Sequence, residues 1–174
     1  MEHDPKAGNS PPAPIQPTGF FTGIQIRPII MGVIIDFVAT FAMTIGYFTY
    51  FVAKELADKG VTGDDAFSEY WASSEGLMTS LVIGSLGTAI GGFYAAYKAG
   101  RLEMKHGALV GIGSIALGLL LSLFEGESHL PDWFMGVSVA AAIPAGALGG
   151  FFAEMMKNLS GKLPGPGAGM PRKS

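Results

Sequence analysis

A chain of 174 residues with 49% hydrophobic and only 14% charged residues has room for one helical bundle and no second globular domain, and its charge falls well below the ~25% of a soluble domain. It has no cysteine, which excludes disulfides and cysteine-ligated metal sites, and its net charge of −3 argues against nucleic acid as a partner.

Residues 1–27 are Pro-rich and acidic at the start, without an apolar core. Such a segment is not a cleavable signal peptide and cannot bury enough surface to order itself, so a flexible cytoplasmic arm is expected. Four apolar segments follow, at about 28–53, 77–97, 107–124 and 133–156. A hydrocarbon core about 30 Å thick needs ~20 helical residues at ~1.5 Å each, and all four segments approach or exceed that. The fold class expected is therefore all-α: a polytopic membrane protein of four transmembrane helices packed through small-residue faces. Residues 157–174 read as a flexible tail.

The loop between the first two spans carries Thr62-Gly-Asp-Asp65, which fits a helix-capping box, and then Phe67, Tyr70 and Trp71 at helical spacing. Either a short amphipathic helix lies on the membrane surface there or an ordinary loop packs its aromatics on the bundle. Other aromatics, Phe20 and Phe21, Tyr47 to Phe51, Phe93 to Tyr97, Trp133 and Phe134, stand at the ends of the spans as an interfacial belt.

The basic residues sort by loop. Lys6 and Arg27, then Lys98, Arg101 and Lys105, then Lys157, Lys162, Arg172 and Lys173 make nine of the 11 Lys and Arg. The other two, Lys54 and Lys59, lie among acidic residues of the first loop. Positively charged loops stay inside, so both termini are expected in the cytoplasm.

Glycine is 26 of 174 residues, about twice the usual ~7%. Gly84, Gly87 and Gly91 fall in register on the second span, Gly107, Gly111 and Gly118 on the third, and Gly146 and Gly149 on the fourth. Steps of three and four put each set on one face, where small residues let helices approach in lipid. Packing within the bundle accounts for most of these stripes. Gly92, Gly113 and Gly150, off the main stripes, are free for a second contact, so a homo-oligomer or a larger membrane complex is expected. Pro144 interrupts the hydrogen bonding of the fourth span and should kink it. Ala89-Ile-Gly-Gly-Phe-Tyr-Ala95 matches Ala147-Leu-Gly-Gly-Phe-Phe-Ala153, a sign of two repeated hairpins.

Asp36 is the candidate intramembrane site. It shares a stripe with Gly32, Ala39, Met43 and Gly46 and so faces the bundle. A mid-span aspartate costs at least ~2.5–3.5 kcal/mol on insertion scales. Thr88 and Ser114 lie at similar depth as hydroxyl partners. One reading is a hydrogen-bonded carboxyl that fixes helix register; the other is a proton or cation site. His3, His106 and His129 fall in a tail and in loops on opposite sides and cannot converge on a metal. No HExxH, GxxxxGK[ST] or GxSxG motif is present, so no catalytic residue, cofactor or metal site is expected.

With its paired Gly-Gly-aromatic ends and glycine stripes, Pro28 to Met156 resembles small glycine-rich four-span bacterial inner-membrane proteins of uncharacterised function. The resemblance implies the topology and no activity. The function expected is a non-catalytic membrane subunit, an accessory component or self-associating scaffold. The alternative is a small proton- or cation-coupled channel or transporter using Asp36. A lone four-helix bundle should have too little interior for a pore, so transport would require at least a dimer.

The orientation is tested by single cysteines introduced at Gly63 and Ser128. Both are expected to react with an impermeant thiol reagent on intact cells, and labelling only after lysis would reverse the topology.

Overall fold

The computed structural model describes residues 22–61, 63–125 and 131–162. The arm up to residue 21, Thr62 with its capping box, residues 126–130 and the tail beyond 162 lie outside the described residues, as do Phe20, Phe21, His3 and His129.

The described chain is all-helical. Helix α1 (Ile26–Tyr47) passes through one π-helical turn (Phe48–Val52) into α2 (Ala53–Asp58); α3 (Gly63–Ala72), α4 (Ser74–Ala99), α5 (Glu103–Glu125) and α6 (Asp132–Lys162) follow. Four helices are long and apolar enough to cross a membrane: Ile26–Asp58, Ser74–Ala99, Glu103–Phe124 and Asp132–Ser160. The first has a mean hydropathy of 2.1 in its most apolar window, yet only 11% of that window is buried inside the protein. Phe37, Val38 and Phe41 are among the large apolar side chains on its exposed surface. Lipid is the solvent such a surface requires, and the chain is a membrane protein.

The helices exceed the apolar segments at both ends. Ile26 and Arg27 open α1, and the helix runs past residue 53 to Asp58, so neither boundary follows hydropathy. Residues 157–162, expected in a flexible tail, continue α6. Polar residues prolong a helix readily where its backbone bonds are already propagating.

Both described termini lie at one end of the bundle with the α4–α5 turn, a face that carries Arg27, Lys98, Arg101, Lys105 and Lys157. It is called here the basic face, and the opposite end, with α3, the acidic face. The turn is short because Gly100 takes the left-handed conformation (φ 71°) and its N–H caps the Ala96 carbonyl at 3.1 Å. On the acidic face Ser73 caps α4, its hydroxyl oxygen accepting from Gly76 N–H at 3.1 Å. The loop before it is helical as α3, and its aromatics pack on the bundle. Tyr70 is buried, its hydroxyl 3.4 Å from that of Tyr47 and 3.1 Å from that of Thr79. Phe67 meets Phe48 edge-on at 4.9 Å.

In cross-section α4 and α5 form the short diagonal. α1 packs on both from one side and α6 on both from the other. The crossings are made by glycine. A Cβ on Gly32 would meet the Gly91 backbone, and one on Gly91 the Gly32 carbonyl. Gly107 and Gly146 stand in the same reciprocal relation between α5 and α6, with Gly111 against Ala142 and Ile143. Gly149 faces Ala89 and Phe93 of α4. Backbones this close gain dispersion contacts that lipid cannot match. The off-stripe glycines are used inside the bundle as well: Gly92 lies on Gly146, Gly113 on Val33 and Gly150 on Glu103. Gly84 and Gly118 depart from the expectation of helix packing. Nothing lies within 4 Å of a Cβ placed on either, because the helices have separated at that depth.

That separation divides the molecule. Nearly all buried positions of α5 and α6 lie in the halves nearer the basic face: His106, Gly107, Val110 and Gly111 in α5, and Ala145, Gly146, Gly149, Gly150 and Ala153 in α6. Residues 131–143 of α6 contain no buried position. Pro144 stands at the border. α6 is helical through it, and the proline supplies no N–H to the Ala140 carbonyl. The matched Gly-Gly pairs are used with opposite faces. Gly91 meets α1 within its own hairpin and Gly92 meets α6, whereas Gly150 meets α5 within its own hairpin and Gly149 meets α4.

Gly146→Leu is expected to lower the melting temperature in detergent, since its Cβ alone falls on backbone and overpacking typically costs about 1–3 kcal/mol. Gly118→Leu should leave it unchanged. Equal losses in the two melts would place both glycines at helix contacts.

Candidate functional site

Asp36 lies ten residues from the start of α1, Thr88 eleven from the end of α4 and Ser114 eleven from the start of α5. By helical rise all three sit about 15–17 Å from the basic face, near the middle of a bilayer core. The structure brings them together. Thr88 Oγ1 donates to Asp36 Oδ2 at 3.1 Å, Ser114 Oγ donates to the same oxygen, and Thr40 Oγ1 donates to Oδ1 at 3.2 Å. Asp36 is 6% exposed and Thr88 5%. Thr40, one turn along α1, is the partner that the sequence reading lacked. The i, i+4 spacing was there to be read, because residues four apart on a helix share a face.

Glycine makes the niche. A Cβ on Gly87 would lie 2.8 Å from Asp36 Oδ1 and collide with the Thr40 hydroxyl, and one on Gly91 would lie 2.9 Å from the Asp36 Cβ. The stripe on α4 thus does two things: it brings α1 close, and it leaves room for one carboxylate between the two helices.

The hydroxyls have a second set of acceptors. Thr88 Oγ1 is 2.9 Å from the Gly84 carbonyl and Ser114 Oγ 3.0 Å from the Val110 carbonyl, each one turn back on its own helix. A hydroxyl has one proton and can serve only one acceptor at a time. With Asp36 ionised, the three hydroxyls point at the carboxylate. With a proton on Oδ2, that O–H can donate to Thr88 or Ser114, whose own hydrogen turns to the backbone carbonyl. Both states leave every polar atom of the cluster partnered, which is the condition for a buried polar group to be tolerated in either.

Asp36 lines the part of a cavity of about 370 Å³ that lies nearest the basic face. The cavity extends to Ser80, Ser122 and Met135, which lie three to six residues from the acidic-face ends of α4, α5 and α6. Eight residues separate Thr88 from Ser80 and Ser114 from Ser122, so it runs about 12 Å along the helices. The helices splay above the glycine crossings and leave this space within the bundle. Gly84 and Gly118 line this space. Among the described residues the lining contains no Lys, Arg, His or Glu and no second Asp.

Below the site the basic-face half is fastened by polar contacts. His106 lies in α5 and not in a loop, and it is 0% exposed. Its Nε2 accepts the Gln25 backbone N–H at 3.0 Å, which leaves Nδ1 as the donor to the Leu102 carbonyl at 3.1 Å. Gln25 Nε2 in turn donates to the Ala99 carbonyl at 3.0 Å. One glutamine thus ties the start of α1 to the ends of α4 and α5. The signal for this was helical phase: His106, Val110 and Ser114 recur every four residues on one face. Lys157 pairs with Glu103 at 3.2 Å and donates to the Ala96 carbonyl at 3.2 Å, while Glu154 is exposed.

Among the described residues no group of three or more His, Cys, Asp or Glu is placed to hold a metal ion. Comparisons with protein-family models, curated proteins and solved structures find no match to this chain. The chemistry of the site is therefore read from its own atoms: one carboxylate, three hydroxyl donors and no cationic side chain.

His106→Ala is expected to destabilise the protein by about 2–4 kcal/mol, since it empties a fully buried position and strands the Gln25 N–H. Asp36→Asn, which keeps the shape and an acceptor for the hydroxyls, should cost less than half as much. Denaturation of both variants in one detergent decides the order. The reverse order would place the main polar fastening of the bundle at Asp36.

Proposed function

We propose that the protein is a small ion-coupled carrier of a bacterial cytoplasmic membrane, with Asp36 as its proton- or cation-binding group. The observation that carries this reading is the pairing of a buried carboxylate with a cavity that extends from it toward the acidic face and, among the described residues, is lined by no cationic side chain. An ionised carboxylate at this depth is costly without a positive partner. Among the described residues three hydroxyls are its hydrogen-bond partners, and a proton or a cation supplies the missing charge. The switchable hydroxyls suit a group that gains and loses a proton in each cycle.

The loop charges orient the carrier. With the basic face in the cytoplasm, both termini are inside and the cavity faces outward. The glycine-packed half then forms the inner closure. Pro144, at the border of the packed and splayed halves of α6, is the natural hinge for closing the outer half, because the unmade bond to Ala140 lowers the resistance to bending.

The reading as a non-catalytic accessory subunit or scaffold rested on glycine faces left over for a partner. Six of the eight stripe glycines meet neighbouring helices of the same chain, and the other two line the cavity. A homo-oligomer is compatible with a carrier and is not needed to form its site.

In proteoliposomes with an imposed pH gradient and a trapped pH dye, the native protein is expected to dissipate the gradient. Asp36→Asn should reduce the rate at least about tenfold while melting like a folded protein. Equal rates for the two proteins, or no protein-dependent flux, would remove Asp36 as a proton site.

A further inference from the structure

We propose that the cavity above Asp36 binds a monovalent organic cation with an apolar body, its positive centre against the carboxylate and its hydrocarbon along the walls. This inference rests on the reading of Asp36 as an ion site and names the class of ion that the rest of the space fits.

The first argument is size. A proton or a bare metal ion occupies only the floor of the cavity, beside Asp36. Most of the cavity's length, about 12 Å in all by helical rise, has no role in holding either. At about 370 Å³ the space falls within the roughly 300–1,000 Å³ of small-molecule sites.

The second argument is the wall. Phe37, Leu81, Leu117, Leu121, Met135 and Val139 present hydrocarbon to the cavity. Besides Ser114, four serines also line it, Ser80, Ser85, Ser122 and Ser138, and two of them are turned to their own helices: Ser80 donates to the Leu77 carbonyl and Ser122 to the Leu119 carbonyl, each at 2.8 Å. With Ser80 and Ser122 engaged, the polar demand of the upper cavity comes from Ser85 and Ser138, and the rest of its wall is largely apolar. A metal ion takes its stabilisation from a close shell of oxygens and gains nothing from such walls. An apolar body gains by leaving water for them.

The third argument is charge. Among the described residues Asp36 is the only ionisable one in the lining, which comes from α1, α4, α5 and α6. A monocation neutralises it, a dication leaves a charge over, and an anion meets repulsion. A zwitterionic lipid headgroup is disfavoured for the same reason: its phosphate would enter beside its ammonium, and no Lys or Arg lines the cavity to receive it. The occupant is a free organic cation, and it competes with the proton for one carboxylate. That competition is the chemical basis of an exchange.

Calorimetric titration of the full-length protein in a non-ionic detergent tests this with benzyltrimethylammonium, whose charge does not vary with pH. Neopentylbenzene, the same shape with carbon in place of nitrogen, is the neutral control. The cation should bind at one site per chain and at least about tenfold more tightly than the control, as expected if a buried charge pair forms. Sodium chloride at matched concentration should not displace it more than choline chloride does. Asp36→Asn should weaken binding at least about tenfold. So should Gly118→Leu, whose side chain enters the cavity without meeting another atom within 4 Å of its Cβ. Affinity should rise about tenfold per pH unit while Asp36 holds a proton and then level off.

Equal binding of the neutral isostere would make the cavity an apolar pocket and overturn the inference, as would specific displacement by sodium. Binding unaffected by both substitutions would also overturn it. Asp36-dependent proton flux without benzyltrimethylammonium binding would overturn this inference and leave the proton reading standing. Binding that requires Asp36, with no proton flux at any gradient, would do the reverse.

Discussion

Apolar side chains in lipid gain nothing by exchanging an acyl chain for a neighbouring helix, so the cohesion of this bundle must come from close approach of backbones. Gly32 on Gly91, Gly107 on Gly146 and Gly149 on Ala89 supply that approach. All three crossings lie between mid-depth and the basic face. Once backbones touch there, the helix directions are set, and toward the acidic face nothing lies within 4 Å of a Cβ on Gly84 or Gly118. The cavity is thus a consequence of where the glycines are placed.

The same contacts make the carboxylate tolerable. Gly87 and Gly91 bring α4 against α1 and leave only a niche the size of Asp36 and the Thr40 hydroxyl. Thr88 and Ser114 then arrive from two other helices at one oxygen. A hydroxyl at either position retains its carbonyl one turn back, so neither residue depends on Asp36 for a partner. The cluster can therefore change protonation without stranding a donor, a property that a lysine or arginine counter-charge would not provide.

Rigidity and freedom are segregated along the membrane normal. The basic-face half is closed by glycine crossings, by the His106–Gln25–Ala99 contacts and by the Lys157–Glu103 pair. The acidic-face halves of α5 and α6 have few buried contacts, and local opening is drawn from such regions. Pro144 in α6 and the π-helical turn at Phe48–Val52 in α1 stand where helices leave this packed half or the bundle itself. Both are places where the regular bonding is broken and a helix bends at low cost.

Hydropathy alone determined that four helices cross the membrane, because any apolar run of ~20 residues has no stable alternative there. The i, i+4 phase of Gly32 and Asp36 was enough to turn the carboxylate inward, and equal depth was enough to nominate Thr88 and Ser114. Which glycines touch a neighbour was beyond the sequence. Gly84 and Gly87 share a stripe, yet one lines a cavity and the other lies under Asp36, since contact depends on where two axes cross and not on which face a residue occupies. For the same reason His106 reads as a loop residue until α5 is seen to begin at Glu103 and to carry it against Gln25. The cavity was the least legible feature. It belongs to no segment of the chain and exists because α5 and α6, packed near the basic face, lose their close contacts toward the acidic face.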